Sequence, residues 1–142
     1  MNEVAILRSD LLPISETFIR DQAAALLRWK PTLMGFRSVE GGLATPGVEQ
    51  RVFASLRITG GLRAMFPLPH RGLVRKLRSS GTRLAHAHFG TDAVRFWPSV
   101  RAAGLPMLVT LHGVDINRNA SFWKSGRGGQ HNRWYPRRLL SL

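Results

Sequence analysis

Short apolar runs alternate with helix-like segments along this chain, and that alternation narrows the fold more than any other feature. Val4–Leu7 is a continuous apolar run, as expected of a strand buried on both faces. Beyond the turn at Pro13, Ser15 is placed to cap a helix and Glu16 to sit in its first turn. Ile19, Ala23 and Leu26 share one face of that helix, with Phe18 and Leu27 beside it. Pro31 is expected to end it, and Thr32–Phe36 reads as a second strand. Residues 39–69 are turn-rich and give no clear pattern around VEQRVFASLRI. A helix is expected at Arg71–Ser79, a strand at Arg83–Phe89, and a helix from Asp92 that Pro98 should kink or shift. Met107–Leu111 is the most strand-like run. The prediction is an α/β fold, a Rossmann-like parallel sheet with helices on both faces, in a single domain spanning 1–142.

In such sheets ligands bind beyond the carboxyl ends of the strands, and the chemically interesting residues lie there. Ser15, Glu16 and Thr17 follow the first strand. His86, His88, Gly90 and Thr91 close a later one, and His112, Gly113 and Asp115 close the next. Alternation along a strand puts His86 and His88 on one side. The pair suits a metal site, with His112 and Asp115 as further ligands. The blander reading has one histidine facing the crevice to bind an anion or hydroxyl and the other held structurally by hydrogen bonds. A helix N-terminus at Ser15–Thr17 serves capping and anion binding alike. Gly113 permits a sharp turn or close backbone approach, and Asp115 either caps the next segment or meets ligand hydroxyls. His70 and His131 read as ordinary surface residues.

Other chemistries find no support. No cysteine occurs among the 142 residues, so thiolate ligands and disulfides are excluded. There is no P-loop, no GxGxxG after the first strand and no serine nucleophile elbow. No apolar run approaches the ~20 residues of a membrane span, and the N-terminus lacks a signal-peptide pattern, so a cytoplasmic chain is expected. The net charge of +13 is uneven: residues 1–50 hold five basic and six acidic residues, residues 51–142 sixteen and two. All but three of the basic residues are arginine, which suits phosphate-rich partners or an anionic membrane surface.

Three segments, LPISETFIRDQ, AHAHFGTDA and LPMLVTLHGVDI, together resemble the N-terminal domain of glycosyltransferase family four, in the branch that builds colanic acid and other exopolysaccharides. The tail SFWKSGRGGQHNRWYPRRLLSL resembles that branch too, and the likeness omits only roughly residues 39–69. It implies a GT-B enzyme, metal-independent, taking a nucleotide-sugar donor and retaining anomeric configuration. The acceptor would be a saccharide or lipid-linked glycan. The resemblance places Ser15, Glu16 and Thr17 near the donor diphosphate and His112 beside the transferred sugar as the catalytic candidate. His88, Gly90, Gly113 and Asp115 match positions that bind substrate around the cleft. No glutamate follows Glu49, so the paired-glutamate motif of the family's donor domain is absent. The chain would then be a fragment, a truncated frame or half of a split enzyme needing a separate donor-domain half, with little transfer activity alone. Peripheral membrane contact fits the arginines, with Trp123, Trp134 and Tyr135 as interfacial residues or, alternatively, as buried ones. Nucleic acid is not expected as a partner. The rival functions are a basic nucleic-acid-binding domain and a metal-dependent hydrolase using His86, His88, His112 and Asp115.

Overall fold

The structure, a computed structural model, describes residues 1–53, 68–127 and 133–142. Its elements run β1 (Asn2–Leu11), α1 (Thr17–Ala24), β2 (Trp29–Ser38), β3 (Glu49–Val52), α2 (Arg71–Ser79), β4 (Thr82–His88), α3 (Gly90–Ala103), β5 (Met107–Thr110), then short helices α4 (Gly113–Asn117), α5 (Ala120–Lys124) and α6 (Tyr135–Leu139). The five strands form one sheet in the order β3-β2-β1-β4-β5, with every pairing parallel. This is the α/β, Rossmann-like arrangement that the alternation predicts.

Residues of β1 alternate between two apolar clusters. Ala5 and Leu7 join Met34, Ala85 and Ala87 beneath Leu73 and Leu77 of α2 and Ala93, Phe96 and Val100 of α3. Ile6 and Leu33 face the other way, against Ile19 and Ala23 of α1. The chain steps from β1 to β2 in one direction across the sheet and from β4 to β5 in the other. Right-handed crossovers therefore put α1 on one face and α3 on the opposite one. The step changes direction between β1 and β4, and at the strands' carboxyl ends this is the place where such sheets hold their ligands.

Several local expectations are corrected. The first helix ends at Ala24, seven residues before Pro31, because Trp29 already pairs with Asn2 in the sheet. Leu27 lies outside it, 90% exposed. Pro31 is inside β2, at a level where β1 is a neighbour but the β3 pairing, which begins at Thr32, has not started, so its missing N–H leaves no ladder gap there. Helix α3 starts at Gly90 and continues through Pro98 to Ala103, so the proline does not move its start. The ambiguous VEQRVFASLRI stretch supplies β3, and its remainder from Ala54 lies outside the described residues. His131 lies outside them too. His70, expected on the surface, is half-buried: its ring accepts from Leu73 N–H as the N-cap of α2, and its backbone N–H donates to Ser99 Oγ. No helix among the described residues is long and apolar enough to cross a membrane.

Candidate functional site

The switch point is organised around a buried arginine. Arg8 extends β1 past its apolar run, and its guanidinium holds Glu16 bidentately, with Nε at 2.8 Å from Oε2. The same group pairs with Asp92 at the start of α3 and lies 4.4 Å from the centre of the Phe89 ring. Asp92 also accepts from Ser9, whose hydroxyl in turn accepts from Arg95 at 2.9 Å. Burial works against charge on Arg8, but Asp92 and Glu16 outweigh it and hold its pKa above the ordinary arginine value. The network ties the loop after β1 to the turn after β4, joining residues more than eighty positions apart.

Glu16 is therefore engaged with Arg8, and it occupies the N-cap position of α1 without a side-chain capping bond. Ser15, expected to be the cap, is exposed and caps nothing. Thr17 is exposed at the helix start. Phe18, one residue further on, reaches over the histidines: its ring centre lies 4.8 Å from His112 and 6.1 Å from His88.

His86 and His88 do share a side of β4, with ring centres 4.2 Å apart. His86 Nε2 meets Thr110 Oγ1 of β5 at 2.8 Å. His88 Nδ1 and His112 Nε2 are 3.4 Å apart, so one imidazole donates weakly to the other. His88 is 1% exposed, and its Nε2 has no hydrogen-bond partner. Burial, then the neighbouring His86, His112 and Arg8, push its pKa down to about 3, and burial and His112 lower that of His86. His88 was expected to face the cleft, but it lies beneath the surface and supports His112 instead. His112 is the half-buried imidazole at the mouth, packed between Phe18 and Phe89, the latter at 4.4 Å.

Phe89 carries a feature that no sequence pattern signalled. It sits at φ 74°, ψ 136°, a region that side chains rarely enter and that costs about 1–3 kcal/mol. Its N–H donates to Thr110 O and its carbonyl accepts from Ala93 N–H. That backbone twist turns the ring toward Arg8 and His112.

Asp115 acts as a cap. Its Oδ2 accepts from His112 N–H at 3.0 Å, which fixes the backbone that carries the mouth imidazole. Its Oδ1 accepts from the Tyr135 hydroxyl at 3.2 Å. Burial, and then the Asp115 carboxylate, push the phenol pKa upward. Tyr135 and Trp123 are each 3% exposed with ring centres 4.5 Å apart, so of the three candidate interfacial aromatics only Trp134 remains exposed. Gly90 is buried under the Tyr135 ring: a Cβ there would lie 2.9 Å from Cε2 and Cζ. The missing Cβ admits the Tyr135 ring of the tail. A Gly90→Ala variant is expected to lose about 1–3 kcal/mol in urea unfolding as the ring is displaced. Gly113 has no positive φ, and a Cβ would meet only Asn117 Nδ2 at 3.4 Å, so neither a sharp turn nor a close approach requires glycine there.

Among the described residues no group of three or more His, Cys, Asp or Glu is arranged to hold a metal ion. His86 and Asp115, two of the four candidate ligands, are already engaged with protein partners. The arrangement that stands is a single accessible imidazole, oriented from below by His88 and through its backbone by Asp115, between two aromatic rings.

Fold and site thus define an α/β domain with a cluster of histidine, aromatic and charged side chains at its topological switch point. No family model matches the chain, and no curated protein matches it. Among solved structures it is similar to the C-terminal domain of a hydrogenase from Pyrococcus furiosus, with 15% identity and a TM-score of 0.53, over 78% of this chain and 91% of that one. A likeness at that identity concerns the fold alone.

Proposed function

We propose that this chain is the acceptor-side domain of a GT-B glycosyltransferase of family four, acting in cell-surface polysaccharide synthesis with a nucleotide-sugar donor. The observation that carries the reading is convergence. LPISETFIRDQ is separated by more than sixty residues from AHAHFGTDA, which LPMLVTLHGVDI follows closely, yet all three meet at the ends of the adjacent strands β1, β4 and β5. There His112 presents an imidazole suited to a sugar hydroxyl or to charge developing on the transferred sugar. The aromatic rings of Phe18 and Phe89 beside it suit the apolar face of a sugar ring. Glu16 and Asp92 act in this reading through Arg8, by holding the loop that carries Phe18.

The nucleotide would be bound by a donor half outside these residues. The test is a transfer assay on this domain joined to, or mixed with, a donor half carrying paired glutamates, with nucleotide diphosphate release as readout. His112→Ala is expected to lower kcat by roughly 10²–10³ with little change in thermal stability. Release that is absent for the wild type, or unaffected by His112→Ala, would remove the reading.

A further inference from the structure

β5 closes one side of the sheet, and among the described residues nothing pairs with its outer edge. Pro106 and Thr110 give their carbonyls to the N–H groups of Ala85 and Phe89. Alternation then turns the N–H and C=O of Met107, Val109 and Leu111 away from β4. Such an edge is a template for another strand, and folded chains commonly blunt it with charge or proline. The far edge, β3, carries Glu49 and Arg51, paired at 2.6 Å. β5 carries no charge: it reads Met-Leu-Val-Thr. Met107 and Val109 pack toward α3, and Leu108 points to the other side, 49% exposed. Leu111, Val114 and Ile116, which follow the strand, are exposed as well.

The charge pattern says what fits this edge. The chain carries +13, so most of its surface repels a second copy. Residues 102–117 are the exception. These sixteen positions form the longest interval without Lys or Arg, and their one acid, Asp115, is buried. Two copies therefore approach along β5 at the least electrostatic cost. The strand also complements itself. A two-fold axis beside Val109 sets that residue against its own copy, Met107 against Leu111, and Leu108 against Thr110. Every cross-strand pair is then uncharged. The outward groups of Met107, Val109 and Leu111 all find partners, on the order of six backbone hydrogen bonds.

We infer that this chain forms a two-fold dimer by antiparallel pairing of β5 with β5 of a second copy. Two five-stranded sheets then become one continuous sheet. The axis reverses strand direction, so the two copies of His112 lie at opposite ends of the joint sheet. The inference goes beyond the proposed sugar transfer and does not depend on it.

The test is sedimentation equilibrium of the 142-residue chain over a series of concentrations. A reversible monomer–dimer equilibrium is expected, with Kd roughly 1–50 µM for an interface at the small end of the stable range. Salt should tighten it, because it screens the repulsion between two basic copies. Val109→Pro removes an N–H that β4 does not use, and should raise Kd at least about a hundredfold. Leu108→Lys carries an ammonium into the apolar seam from an exposed position, and should raise Kd at least about tenfold with its unfolding transition kept. If Val109→Pro fails to fold, Leu108→Lys alone decides. Leu27→Lys adds the same charge at a site 90% exposed near α1, and should change Kd less than about twofold. A monomer at about 200 µM, an open-ended series of oligomers, or a dimer untouched by the β5 variants would overturn the inference. So would a donor half that disperses the dimer into a one-to-one complex weakened by Leu108→Lys, since that half would then own the edge.

Discussion

Arg8→Met is expected to destabilise the domain by about 3–5 kcal/mol, enough to bring a typical stability of roughly 5–15 kcal/mol near its lower limit. Methionine keeps much of the side-chain length but leaves Glu16 and Asp92 facing each other, buried and without their cation. Two like charges in a poorly solvated position are the costly state; the lost hydrogen bonds are secondary. The contrast that isolates this cause is Arg8→Met/Glu16→Gln/Asp92→Asn. It removes the cation together with both anions and should recover more than half of the loss. Urea unfolding followed by far-UV circular dichroism reads both variants. An Arg8→Met cost below about 1 kcal/mol would show that the network is solvated and does not anchor the loop.

That network also explains which parts of the site the sequence made legible. Strand alternation correctly put His86 and His88 on one face, because a period of two is a local property of the backbone. The α2 boundaries were equally legible, since Leu73 and Leu77 bury one side and arginines line the other. Arg8 was not. Local pattern treats an arginine after VAIL as the charged end of a strand, whereas β1 continues to Leu11 and draws its countercharges from Glu16 and Asp92. The signal lay in pairing a basic residue inside a strand with acids just after two different strands, which requires the strand order first. The end of α1 was lost for a related reason: the alanines and leucines of 23–27 favour helix, but the β1–β2 register pulls Trp29 into the sheet. Phe89 illustrates the limit most clearly. Its positive φ is imposed by the hydrogen bond to β5 and by the start of α3, and nothing in the residue type announces it.

The same geometry also predicts an acid response with a definite window. His88 titrates near pH 3 in the folded chain and near the ordinary histidine value of 6.5 when unfolded. Between those values the unfolded state binds the extra proton, so stability falls as pH falls. The neutral ring's full contribution is present above about pH 6.5 and is lost progressively toward pH 3. Between pH 7 and pH 5 the loss from His88 alone is about 2 kcal/mol. His86, lowered in the same direction, adds to it. Asp10 and Glu49 also have lowered pKa values and produce an acid loss of the same sign. Their ordinary values are 3.8 and 4.5, so most of their loss lies below pH 5, while Asp92, raised by burial, contributes with the opposite sign; both contributions are common to the wild type and the variant compared with it. Urea unfolding at pH 7 and pH 5 gives the measurement, and His88→Phe is the comparison. Phenylalanine keeps a ring beneath Phe18 and His112 but takes no proton. Its loss over the same interval should be smaller than that of the wild type by about 2 kcal/mol, whatever its absolute stability. An identical loss in both proteins would mean that His88 is already solvated enough to protonate in place. The buried support beneath His112 would then be wrong.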